Sequence, residues 1–121
     1  MVAMLRISVA ALLIALPTAA GATGGFTCST AGRQPIVVSV AFGHVPGAAL
    51  LEDSTRLFDR GRKIPVRGAQ WWFDGTELRL LLTDPNALRR EVIVKTRRNG
   101  RSFDGDLWRA GKRYWVRCRE S

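Results

Sequence analysis

One histidine, two cysteines and ten acidic residues are the chain's main stock for acid–base, nucleophilic or metal chemistry. His44 sits in Gly43-His44-Val45-Pro46, which reads as a turn. A Ser-His-Asp relay would have to use it, and no nucleophile elbow or oxyanion loop accompanies it. Asp104 and Asp106 form the one obvious carboxylate pair, but each faces a basic or aromatic neighbour. A glycosidase needs its two carboxylates across a cleft. One histidine with two cysteines leaves too few ligands for a zinc site. The sequence also lacks a phosphate loop, a CxxC pair and a calcium loop. These residues point away from an enzyme, and imply no cofactor and no metal.

The N-terminus supplies the compartment. Met1 to Arg6 make a short, positively charged segment, Val9 to Leu16 an apolar run, and Pro17 ends it. An A-x-A site at Ala20-Gly21-Ala22 predicts cleavage before Thr23. The apolar run is short for a bilayer span. Residues 1–22 thus read as a secretory signal, and 23–121 as a single β domain. No cysteine follows the apolar run directly, so the signal is not of the lipoprotein kind. The expected location is periplasmic or secreted. In an exported chain, Cys28 and Cys118 are expected to form a disulfide.

Charge is uneven. From Arg89 to Arg119 there are eleven basic and three acidic residues, whereas Thr23 to Leu88 has seven against six. Such asymmetry points to an anionic partner.

The elements that must position these groups are short runs rich in Val, Leu, Ile and aromatics, with turn residues between them. Candidate strands are 26–30, 35–42, 48–52, 55–59, 62–66, 69–73, 77–83, 90–97, 102–108 and 113–119. The spacing predicts an all-β fold, a small antiparallel barrel or sandwich built of hairpins, with its termini joined by the disulfide.

Two-residue turns fix a register for three hairpins. At Asp74-Gly75, Trp71 faces Leu78 and Trp72 faces Glu77. Ala69, Trp71, Phe73, Leu78 and Leu80 then face the core, and Gln70, Trp72, Glu77 and Arg79 face solvent. At Asn99-Gly100, Lys95 faces Asp104 and Glu91 faces Trp108. At Ala110-Gly111, Asp104 faces Arg117, Asp106 faces Trp115, and Trp108 faces Arg113. One inner face follows across the three strands: Val92, Val94, Phe103, Leu107, Tyr114, Val116 and Cys118. Trp72, Trp108 and Trp115 become candidate exposed aromatics. Asp104 sits between Lys95 and Arg117, so cross-strand pairing absorbs about half of the basic excess. The remainder falls at two ends. Arg97, Arg98, Arg101 and Arg119 cluster at the Asn-Gly tip as candidate anion-binding residues, since arginine grips phosphate or carboxylate with a rigid fork. Arg89, Arg90, Arg109 and Lys112 cluster at the other end.

The ends "FTCS" and "RYWVRC", with "PIVVSV" between, resemble the periplasmic and membrane-bound inhibitors of c-type lysozyme. That family is a small antiparallel barrel with disulfide-joined terminal segments. Its signature is similar to S-x-S-G-A-R-Y followed by D-G. Here residues 65–71 read P-V-R-G-A-Q-W, with Asp74-Gly75 following. Gly68 and Ala69 match, and Trp71 stands at the tyrosine position. Arg67 replaces the inhibitory serine, Pro65 replaces the first serine, and the family's tryptophan-lysine-glycine stretch has no counterpart. C-type lysozymes are themselves basic, so a basic domain meets like charge.

The function expected from these features is an exported, non-catalytic binding module of the bacterial envelope, lysozyme-inhibitor-like. The alternatives are a basic module for an anionic envelope polymer (lipopolysaccharide or peptidoglycan), and a structural or assembly subunit. The partner is accordingly a protein or an anionic polymer. Nucleic acid fits the charge, but export argues against it.

Overall fold

The computed structural model describes residues 24–42 and 54–120. The signal, His44 and candidate strand 48–52 lie outside them. The described chain forms one antiparallel sheet of nine strands. They are β1 (Gly24–Thr30), β2 (Ile36–Phe42), β3 (Arg56–Asp59), β4 (Arg62–Ile64), β5 (Arg67–Phe73), β6 (Glu77–Thr83), β7 (Arg90–Asn99), β8 (Ser102–Arg109) and β9 (Lys112–Glu120). Their order is β4-β3-β2-β1-β9-β8-β7-β6-β5. The two edge strands, β4 and β5, are separated in sequence only by Pro65 and Val66. Three virtual bonds from Ile64 to Arg67 span at most roughly 11 Å, so the sheet must curl until its edges approach. The all-β expectation holds, in the form of one curled, half-barrel sheet.

Period-two alternation drives the curl. β2 buries Ile36, Val38, Val40 and Phe42 and leaves the residues between them partly exposed. The inner face predicted for the last three strands is present: Val92, Val94, Phe103, Leu107, Val116 and Cys118 are buried, and Tyr114 packs against them. Phe26, Phe42, Phe73 and Phe103 form an aromatic cluster with ring centroids 4.9 to 6.0 Å apart. Most of these pairs are edge-on, the arrangement ring quadrupoles favour. Phe73 of β5 touches Phe26 of β1 and Phe42 of β2, so this cluster closes one end across the open seam. Cys28 and Cys118 are directly opposed on β1 and β9 and form the disulfide.

The turns depart from expectation, and they set the register. Asp74-Gly75 is not a two-residue turn. Neither residue has positive φ, and the last close pair is Phe73 with Leu78. Asp74 instead organises the loop. Its Oδ1 accepts from the backbone N–H groups of Thr76 (2.7 Å) and Glu77 (2.8 Å) and from the Thr76 hydroxyl. These backbone donors hold the Asp74 carboxyl down at about 2. The pairs therefore slip by two residues, placing Trp71 opposite Leu80 and Trp72 opposite Arg79.

The second turn also moves. Asn99 pairs with Ser102, so Gly100-Arg101 forms the turn, with positive φ at Gly100 only. That is the type II′ pattern. Lys95 thus faces Asp106 rather than Asp104, Arg97 faces Asp104, and Ile93 rather than Glu91 faces Trp108. Ala110-Gly111 is the expected two-residue turn, and the β8–β9 register is as predicted. A slip of two leaves every side chain on its face, which is why the inner-face prediction survives two wrong turns.

Candidate functional site

Cross-strand partners share a face, so the register orders the outer, convex side. Trp72, Arg79, Lys95, Asp106 and Trp115 form one continuous row over β5 to β9. At about 4.8 Å per strand the row runs roughly 19 Å. A neighbouring row carries Glu77, Arg97, Asp104 and Arg117, and the other neighbour carries Trp108 and Arg113. The three candidate outward tryptophans therefore lie on one surface.

Each indole has a cation over it. Arg79 lies 5.8 Å from the Trp72 ring, Lys95 lies 5.7 Å from Trp108, and Arg117 lies 5.2 Å from Trp115. Trp72 also donates its indole N–H to Asp74 Oδ2 at 2.9 Å, which fixes the ring beside the turn. Trp72 and Trp115 nevertheless remain 50% and 51% exposed. Trp108 is half-buried rather than exposed, because Lys95 folds over it.

Carboxylates neutralise only part of this face. Arg117 grips Asp104 with two bonds of 2.8 and 2.9 Å, and this pairing with Asn99's amide holds the Asp104 carboxyl at about 2. Glu77 lies 3.7 Å from Arg79, and Asp106 lies 4.0 Å from Arg113. Among the described residues, Lys95 and Arg97 have no carboxylate within 4.0 Å. A groove of about 480 Å³ lies beside Lys95, lined also by Gln70, Trp72, Arg79 and Ile93 among others.

Trp71 corrects a sequence expectation. It shares a face with buried Leu80 but is 37% exposed. Among the described residues it sits on an edge strand, with β6 on one side and no hydrogen-bonded strand on the other. A bulge between Gly68 and Gln70 further turns Ala69 out to solvent, while Gly68 is buried.

The arginine tip is divided. Arg98, Arg101 and Arg119 line one cleft with Ser102 and Glu120, but Arg97 stands apart on the convex face. Arg98 is already engaged. It donates to the carbonyls of Gly75 (2.6 Å) and Gly100 (3.1 Å) and stacks over Phe103. At the opposite end Arg109 is no free cation either. Its side chain is only 14% exposed, and its guanidinium donates to Asp59 at 2.7 Å and to Glu91 at 3.1 Å. Burial alone would lower its pKa, and these two acceptors outweigh that and raise it.

Sequence reasoning placed Arg79 and Lys95 on the outer face but did not single them out as site residues, and it passed over Gly105. Gly105 is an isolated glycine inside a strand pattern, a known mark of close backbone approach. Trp72 and Arg79 were expected on one face, but their direct cross-strand pairing, and Lys95 over Trp108, followed only from the corrected register. No group of three or more potential metal ligands occurs among the described residues. No protein family, characterised protein or solved structure matches the chain.

Proposed function

We propose that the protein is an exported, non-catalytic module that holds an anionic envelope polymer, of the lipopolysaccharide or peptidoglycan kind, against the convex face of β5 to β9. The observation that carries this is the row Trp72-Arg79-Lys95-Asp106-Trp115, with a half-exposed tryptophan at each end and uncompensated cations within and beside it. Indole faces stack on the C–H faces of sugar rings, and arginine and lysine meet phosphate or carboxylate. A row of this length on a convex surface suits an extended chain better than a small molecule. A disulfide accords with an oxidising compartment, in keeping with the signal sequence. Nucleic acid meets the same chemistry, and export sets it aside.

The test is retention on immobilised lipopolysaccharide and peptidoglycan across a salt gradient. Trp72→Ala/Trp115→Ala is expected to weaken retention at least roughly tenfold, as loss of two stacking contacts would. Arg79→Ser/Lys95→Ser should flatten the salt dependence. Unchanged salt-sensitive retention in both variants rejects this face.

A second reading is lysozyme inhibition, favoured by the placement of the Gly68-Ala69-Trp71 segment on an exposed, bulged edge strand. Edge strands are open to partner proteins. An assay of purified protein against a c-type lysozyme decides it, and no inhibition at micromolar protein rejects it.

A further inference from the structure

We propose a separate site for a dianionic phosphoryl group at the mouth of the curl, between the β3–β4 and β8–β9 hairpin tips. It does not rest on the convex-face reading. Both tips are two-residue turns with positive φ at each central residue: 56° and 83° at Arg60-Gly61, 51° and 78° at Ala110-Gly111. This is the type I′ pattern, whose twist matches its strands. β3 and β8 are four places apart in the sheet, and only the curl brings their ends together. The Arg109–Asp59 bond ties them at 2.7 Å.

Between the tips lies a cleft of about 480 Å³, lined by Asp59, Arg60, Arg62, Arg109, Lys112 and Tyr114 among others. Its charges do not balance. Asp59 accepts from Arg109 and lies 4.0 Å from Arg60, while Glu91 is shared by Arg109 and Arg89. Along the cleft itself one carboxylate, Asp59, thus meets four cations, Arg60, Arg62, Arg109 and Lys112. Among the described residues, Arg62 and Lys112 have no carboxylate within 4.0 Å. They stand directly opposite Asp59 and Arg109 in their hairpins, so the bridged pair positions them on either side of the cleft. Tyr114 lines the same space and carries a phenolic donor. Two unpaired cations, a third at Arg60 and a hydroxyl make a donor set for one doubly charged oxyanion. The arginine tip offers less, since Arg98 is already bound by two carbonyls.

The experiment is a titration of the protein's amide correlation spectrum with inorganic phosphate, at constant ionic strength and at a pH where phosphate is dianionic. Acetate and chloride form the control arms. Saturable shifts confined to residues 59–62 and 109–114 are expected, with phosphate binding at least roughly tenfold more tightly than acetate. Arg62→Ser/Lys112→Ser should weaken phosphate at least roughly tenfold. Trp72→Ala/Trp115→Ala should leave it unchanged, which separates this site from the convex face. Equal shifts with chloride, equal affinity for acetate, or shifts centred on Arg98, Arg101 and Arg119 would overturn the proposal. The wild-type map decides the location however the variants fold.

Discussion

Replacing both cysteines, Cys28→Ala/Cys118→Ala, is expected to remove about 4 kcal/mol of stability. The bond closes a segment of 90 residues and joins the first strand to the last. In the denatured chain those two strands would otherwise be the most widely separated partners in the fold. Closing so long a loop costs chain entropy, and the covalent link removes that cost from the folding reaction. Both cysteines are fully buried among Phe26, Phe103, Val38 and their neighbours, so the alanine pair also loses packing. A domain of this size has total stability on the order of 5 to 15 kcal/mol, so the variant stands near the margin. Urea unfolding measures the effect. The midpoint should fall and the denaturant slope should rise, because the unlinked denatured chain exposes more surface. A loss below about 1 kcal/mol would show that the denatured chain already holds its ends together.

Gly105→Ala is expected to cost about 3 kcal/mol, at the upper end for overpacking. Gly105 lies on the inner face of β8, opposite Thr96 on one side and Val116 on the other. A Cβ at this position would collide with the Lys95 carbonyl oxygen and lie 2.8 Å from Thr96 Cα. Both obstacles are backbone, so no side-chain rotation relieves them. β7 would have to move away, and with it the buried Thr96, whose hydroxyl donates to the Leu78 carbonyl at 2.8 Å. Strand glycines of this kind mark sharp bends in curled sheets. Gly75→Ala is the matched control. Its added methyl has nothing within 4 Å and its φ is not positive, so a change within about 0.5 kcal/mol is expected. The two urea midpoints, compared at constant slope, give the answer. Equal midpoints would mean that β7 and β8 separate freely at this pair.

The effect of Gly105 was hidden in the sequence although its position was not. Composition and alternation mark residues 102–108 as a strand, and a glycine there reads only as a weak spot. The obstruction comes from a neighbouring strand, and its nearness depends on how sharply the sheet coils. The outer face shows the same division. Alternation placed Trp72 and Trp115 outward, and they are outward. Which cation meets which indole depended on two turns. Asp74 accepts four hydrogen bonds and widens its loop, and Gly100 rather than Asn99 opens the next. Each change moved the pairing by two residues and exchanged the partners of Trp72, Asp104 and Trp108.

The sequence by itself therefore determined the fold class, every described strand to within a few residues and, apart from Gly68 and Ala69 at the β5 bulge, the face each side chain takes, because side-chain direction has a period of two and survives a slip of two. The disulfide was legible too, since two cysteines offer one pairing. Only the tertiary structure decided what lies beside what. Trp71 had the right parity for the core, yet its strand is an edge among the described strands and the residue stays 37% exposed. Arg109 appeared as one more surface cation, yet the curl carried Asp59 to it from 50 residues away and left Arg62 and Lys112 unpaired beside them. Parity is a local property of the chain, whereas edges, curl and charge balance at a mouth belong to the closed sheet.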